Sequence, residues 1–168
     1  MFYGNATDFK SYHEARGRSI PLTLDDDSIE VALLVASEYL DDKYEGSYFG
    51  YKTDGWEQER SWPRISAMTN TDPQHIFTNQ EIPTRVVHAT YEAAYREALS
   101  SGALNVDFKP NKYNSVSVSG AISVDYAKNQ DINDVQVQIA KIGTLIKPLL
   151  DPRKEGYHSS LTGGSERL

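Results

Sequence analysis

Residues 25–44 read DDDSIEVALLVASEYLDDKY and carry the clearest helical pattern in the chain. Their apolar side chains recur three or four residues apart, the spacing that gives an α-helix one apolar face. The members of that face are Ile29, Ala32, Leu33, Ala36, Leu40 and Tyr44. Three aspartates, Asp25–Asp27, stand where the helix macrodipole favours negative charge. The stretch therefore predicts a long helix that begins at Asp25 and ends near Gly46.

Two flanking segments predict shorter helices with the same period. Residues 8–16 begin at the capping pair Thr7-Asp8 and precede Gly17, which suits a helix end. Residues 83–100 begin with a proline, whose fixed φ suits the first turn of a helix, and stop before a glycine.

The chain after residue 100 combines three further patterns. Apolar residues that alternate on either side of a Ser-Gly turn predict a β-hairpin at about 113–127. Asp131 then caps a last predicted helix, which has Pro148 within its last turn. Residues 151–168 are polar and rich in glycine, serine and threonine, so they predict an extended tail that gains order on a partner.

Residues 47–80 show no sustained period and predict a long ordered loop, with room for short strands. Its expected anchors are Trp56, Trp62 and Phe77. Trp62-Pro63-Arg64 is its most distinctive stretch, because the proline restricts a large aromatic residue and a planar cation follows that can stack or pair with an acid. We interpret these three residues as a structural anchor that holds the loop on the core.

Together these elements predict a mainly α (α+β) fold, a small bundle of about four helices with an inserted hairpin. Its 168 residues and apolar fraction of 39% suit one modest domain, which we place at residues 1–150 ahead of the 151–168 tail. Cysteine is absent, which excludes disulfides and thiolate metal sites. No segment approaches the roughly 20 apolar residues of a membrane span, and the first residues lack a signal pattern, so we expect neither export nor a membrane partner.

The net charge of −7 is unevenly distributed. Residues 25–59 hold eleven acidic residues against Lys43 and Lys52, which leaves −9 in that window and +2 elsewhere. An acidic surface repels phosphate, so bulk binding of nucleic acid is disfavoured unless a local basic face overrides the total.

No familiar catalytic or ligand pattern is present in the sequence. The histidines are His13, His75, His88 and His158, and none has a partner at metal-ligand spacing. Asp25–Asp27 lack the alternating ligands of a calcium loop, and Asp41-Asp42 lack apolar surroundings that would separate two pKa values. Glycine-rich phosphate loops and nucleophile elbows are also missing. We therefore expect no enzyme activity, no metal and no cofactor.

The chain carries an ordered series of motifs: Tyr12-His13-Glu14-Ala15-Arg16-Gly17, Ala32-Leu33-Leu34-Val35-Ala36-Ser37-Glu38-Tyr39-Leu40-Asp41, Gly50-Tyr51-Lys52, Trp62-Pro63-Arg64, Ile82-Pro83 and Val124-Asp125-Tyr126-Ala127. Together they resemble a phage-encoded family often labelled DnaT-like. The resemblance implies a head-completion or head-to-tail adaptor protein in the neck of the virion, assembled in the host cytoplasm. It also implies a ring, commonly of about twelve copies. The ring would dock beneath the portal protein and against a tail or nozzle protein, with packaged DNA passing through its lumen without sequence-specific contacts.

Two hypotheses for function follow. In the first, the tail secures the portal, with candidate anchors Tyr157, Leu161, Arg167 and Leu168, while the folded domain seals the DNA exit. The alternative is a single-stranded DNA-binding replication accessory, motivated by the family label, the eleven tyrosines and the Trp62–Arg64 pair. An enzyme with an unrecognised site is a third and weaker option.

Overall fold

The computed structural model describes residues 1–21, 24–104 and 140–154. Its helices in those ranges are α1 (Ala6–Glu14), α2 (Asp26–Tyr44), α3 (Thr84–Leu99) and α4 (Ala140–Ile146). Two short strands, β1 (Tyr51–Lys52) and β2 (Arg64–Ile65), form an antiparallel hairpin. Single 3₁₀ turns lie at Glu45–Ser47, Gly55–Glu57 and Lys147–Leu149. The predicted mainly α fold is confirmed.

The helix starts are set by side-chain caps. The Asp25 carboxylate accepts a hydrogen bond from the Ser28 backbone N–H at 2.9 Å, which confirms the predicted start of α2. The predicted start of α1 is wrong by two residues. Asn5 caps this helix, because its side-chain oxygen accepts from the Asp8 N–H at 2.8 Å, so Thr7 and Asp8 already lie within the first turn.

The long loop contains the short strands that the sequence allowed for, since β1 and β2 both lie between residues 47 and 80. The hairpin predicted at 113–127 and the beginning of the last predicted helix lie outside the described residues. The helix α4 ends at Ile146, and Pro148 lies in the 3₁₀ turn that follows, since proline cannot donate the next α-helical hydrogen bond.

Helix α3 is the centre of the bundle in the described ranges. It packs against α2, α4 and α1. The helix side chains that are fully buried between these elements include Phe9, Ile29, Leu33, Leu40, Val86, Ile142 and Ile146. Truncating one of these leucines or isoleucines to alanine typically costs about 2–5 kcal/mol, so this cluster dominates the stability of the bundle.

None of the helices in the described ranges has the length and apolar character needed to cross a bilayer.

Candidate interaction surface

Trp62 attaches the long loop to the bundle. Its ring is 1% exposed and meets Tyr48 and Phe77 edge-on, with centroid distances of 5.5 and 5.6 Å. The Trp62 backbone N–H donates to the Tyr3 hydroxyl at 3.1 Å, and that hydroxyl donates to the Asp41 carboxylate of α2 at 2.7 Å. The peptide bond between Trp62 and Pro63 is cis. The loop, the N-terminal segment and α2 are therefore joined at one buried point.

Arg64 is buried and binds backbone carbonyls instead of an acid. Its guanidinium donates to the carbonyl oxygens of Phe49 at 2.8 Å, Ser61 at 3.1 Å and Gly50 at 2.8 Å. Burial lowers the pKa of Arg64. Because Arg64 begins β2 while two of the carbonyls precede β1, this one side chain holds both ends of the hairpin together.

Gly50 brings the two strands into close approach. Its φ of +69° lies in the left-handed region, and a Cβ at this position would collide with the carbonyl oxygen of Ile65. The hairpin thus depends on a glycine here as well as on the buried Arg64.

Three exposed apolar side chains lie on the hairpin and its adjoining turn, Tyr51, Trp56 and Ile65, which we term the aromatic face. Tyr51 and Ile65 are direct partners across the strands. They are 77% and 38% exposed, and Trp56, in the adjoining 3₁₀ turn, is 97% exposed. The prediction that Trp56 anchors the loop is therefore wrong, because the turn at Gly55–Glu57 points this ring away from the core.

Carboxylates and already engaged cations surround the aromatic face. Asp54 and Glu57 flank Trp56 in the chain, are exposed, and form no ion pair with any residue in the described ranges. Lys52 pairs with Glu45 at 2.8 Å. The Lys154 ammonium donates to the Tyr48 carbonyl at 2.6 Å, and burial lowers its pKa. A shallow hollow of about 380 Å³ between the two lysines is lined by Tyr51 and Gly55.

A buried carboxylate, Glu92 of α3, joins three other parts of the chain. It accepts from the Tyr12 hydroxyl of α1 at 2.9 Å, pairs with Arg18 at 2.8 Å, and forms an ion pair with Lys141 of α4. Burial alone would raise the pKa of Glu92, but the hydrogen bonds from Lys141, Arg18 and Tyr12 lower it to about 2. Glu92 is therefore ionised at neutral pH and holds α1 and α4 on the central helix.

The three histidines in the described ranges have different surroundings. His13 is fully buried and contacts the Tyr91 carbonyl through Nε2 at 3.1 Å, and burial lowers the pKa of His13. His88 stacks obliquely on Tyr12, whereas His75 is exposed near Glu81. Within residues 1–21, 24–104 and 140–154, no group of three acidic or histidine side chains could hold a metal ion. His158 lies outside these ranges.

The first residues of the predicted tail pack on the long loop. The Asp151 N–H donates to the Ser47 carbonyl at 2.8 Å, and the Asn70 amide donates to the carbonyls of Lys147 at 2.9 Å and Leu150 at 3.1 Å. The candidate portal anchors lie outside the described residues. They are Tyr157, Leu161, Arg167 and Leu168.

The sequence matches the family described as "Putative DnaT-like ssDNA binding protein" over residues 3–164, which is nearly the whole chain. The chain belongs to this family. Membership of the DnaT-like family agrees with the resemblance seen in the motifs, and the family description names single-stranded DNA as the ligand. No curated protein and no solved structure matches the chain.

Proposed function

We propose that this DnaT-like protein is a non-catalytic assembly protein of a tailed-phage particle, an adaptor that forms a ring beneath the portal and connects capsid to tail. The observation that carries the proposal is the aromatic face. Exposed apolar patches with a polar rim mark protein interaction sites, and Trp and Tyr are the residues that most often dominate such interfaces. The ring, the portal and the position in the neck come from the sequence resemblance.

The distribution of cations supports a protein partner. A surface that binds nucleic acid needs Lys and Arg side chains that are free to meet phosphate. Here Arg18 and Lys141 are engaged by Glu92, and Arg64 donates to backbone carbonyls. Arg60 is buried between acidic side chains, with 2.6 Å to Glu59. These four cations stabilise the fold and are not free to meet phosphate.

The portal contact is proposed for the end of the chain. Residues 151–154 already pack on the long loop, so the segment to remove is 155–168, which contains all four candidate anchors. Deletion of 155–168 should abolish co-sedimentation with purified portal protein while the thermal melting curve stays unchanged. Full portal binding by the truncated chain would overturn the assignment of the tail.

A second candidate is binding of single-stranded DNA. The family description favours it, and the exposed rings of Tyr51 and Trp56 are of the kind on which bases stack. Titration of labelled oligothymidine at low and moderate salt separates the two candidates. Salt-sensitive micromolar binding that is lost in Trp56→Ala would support the DNA role, and the absence of binding would support the adaptor.

A further inference from the structure

The aromatic face exposes apolar side chains to solvent. Trp56 is 97% exposed and Tyr51 77% exposed, although Tyr51 lies in strand β1 and Trp56 in the 3₁₀ turn beside it. A tryptophan gains free energy from burial in proportion to its apolar area, at roughly 25 cal/mol per Å². A ring of this size that stays outside the core therefore offers a large binding contribution to whatever covers it.

The base of the aromatic face is rigid. Arg64 donates to three carbonyls beneath the hairpin, and Gly50 allows the strands to approach without a side chain between them. The Gln58 side chain also donates to the carbonyls of Arg60 at 2.7 Å and Pro63 at 3.0 Å, which closes the connection between the strands. Binding at such a surface costs little ordering of the backbone, which favours affinity.

The charge around the face selects a positive ligand. Asp54 and Glu57 are exposed on either side of Trp56 and are unpaired within the described ranges, whereas Lys52 is paired with Glu45. The faces of Trp and Tyr rings also attract cations, most often the guanidinium of arginine. Within the described residues, phosphate would meet two carboxylates here, and the lysines beside Tyr51 are engaged by Glu45 and a backbone carbonyl, so the same charges disfavour a nucleic acid.

We infer that the aromatic face is the docking surface for a basic segment of a partner protein, one that presents Arg or Lys beside aliphatic side chains. This inference rests on the proposed assembly function and adds to it a second contact, separate from the tail, together with the chemistry of the partner. Arg side chains would stack on Trp56 and Tyr51 and pair with Asp54 and Glu57, while aliphatic side chains cover Ile65.

The inference can be tested with a dye-labelled peptide of alternating Arg and Leu, followed by fluorescence anisotropy on the full chain. A peptide with Glu in place of Arg and an oligothymidine of similar length are the competing probes. We expect saturable binding of the Arg-Leu peptide, and a loss of affinity of about tenfold or more in Trp56→Ala, since interface tryptophans are frequent hot spots. Val31→Ala removes another exposed apolar side chain, 62% exposed on α2, and should leave the affinity unchanged.

Two charge variants distinguish attraction of the peptide by the carboxylates beside Trp56 from attraction by the net negative charge of the chain. Asp54→Asn/Glu57→Gln and Asp27→Asn/Glu30→Gln change the net charge equally, but only the first pair borders the aromatic face. The first variant should lower the affinity for the Arg-Leu peptide several-fold more than the second. Equal losses in both variants, no binding of the peptide, or preferential binding of oligothymidine at Trp56 would each overturn the inference.

Failure of the inference remains distinct from failure of the proposed function. Portal binding depends on residues 155–168 and is measured without the peptide. If the chain still binds the portal while the peptide does not bind, only the docking surface is wrong; if the peptide binds at Trp56 but the portal does not bind, only the adaptor role is wrong.

Discussion

The two tryptophans of this chain lie six residues apart on the same loop and have opposite surroundings. Trp62 is 1% exposed, wedged between Tyr48 and Phe77, whereas Trp56 is 97% exposed in a 3₁₀ turn. The difference shows that one loop performs two tasks: residues around Trp62 fix the loop on the bundle, and residues around Trp56 display an apolar surface from that fixed base. A stable scaffold with a binding surface on a loop is the usual division of labour.

The largest expected difference between Trp62 and Trp56 is in their contribution to the free energy of unfolding. Trp62→Ala removes a buried aromatic ring and should lower the free energy of unfolding by about 3–5 kcal/mol. Urea denaturation followed by circular dichroism measures this directly. A loss below about 1 kcal/mol would contradict the buried role of Trp62, because only surface substitutions have effects so small.

The next largest effect on stability is expected at Arg64, the buried arginine that holds the hairpin on which the aromatic face lies. Arg64→Met keeps much of the volume but leaves three carbonyls without their donor, which should cost about 3 kcal/mol. The matched control is Arg85→Met, since Arg85 is exposed and forms no ion pair within the described ranges. The control should change stability by less than about 1 kcal/mol, as most surface substitutions do. Equal losses in the two variants would contradict a special role for Arg64.

Acidification should expose Trp62 while Trp56 is unaffected. The folded pKa of Glu92 is lowered from 4.5 to about 2, so its stabilising contribution is complete above pH 4.5 and is lost as the pH falls towards 2. At most about 3 kcal/mol is lost over that window. The red shift of Trp62 emission in urea reports the loss, and Glu92→Gln should flatten the pH dependence. A pH dependence that persists unchanged in Glu92→Gln would refute this assignment.

The smallest expected effect is at Trp56 itself. Trp56→Ala should change the free energy of unfolding by less than about 0.5 kcal/mol, because the ring contacts little of the folded chain. Acrylamide should quench the emission of Trp56 strongly, and the variant should retain only the shielded emission of Trp62. Residual emission that is quenched as readily as in the wild type would mean that Trp62 is also accessible.

The helices could be predicted from the sequence because period and caps act locally. The apolar pattern and the Asp25 cap predicted the position of α2. Helix α1 starts earlier than expected because Asn5, rather than Asp8, supplies the side-chain oxygen that caps it. The roles of the tryptophans could not be separated, since residues 47–80 have no period that assigns one side to the core. The proline after Trp62 was the only local hint.

The role of Glu92 was missed although a signal was present. Glu92 lies three residues after Ala89 and one before Ala93, on the stripe of α3 that the helical period turns towards the core. A carboxylate on such a stripe implies buried donors nearby. Which donors they are, Arg18 and Lys141, depends on how distant segments pack, and no local pattern encodes that.

The central claim is that this protein acts by binding other proteins through surfaces on a stable helical scaffold. Sedimentation velocity of the full chain, alone and with purified portal protein, tests it most directly, with oligothymidine as the competing ligand. The account predicts self-assembly into a closed oligomer that co-sediments with the portal and ignores the oligonucleotide. A monomer that leaves the portal untouched and binds oligothymidine in a salt-sensitive manner would contradict it.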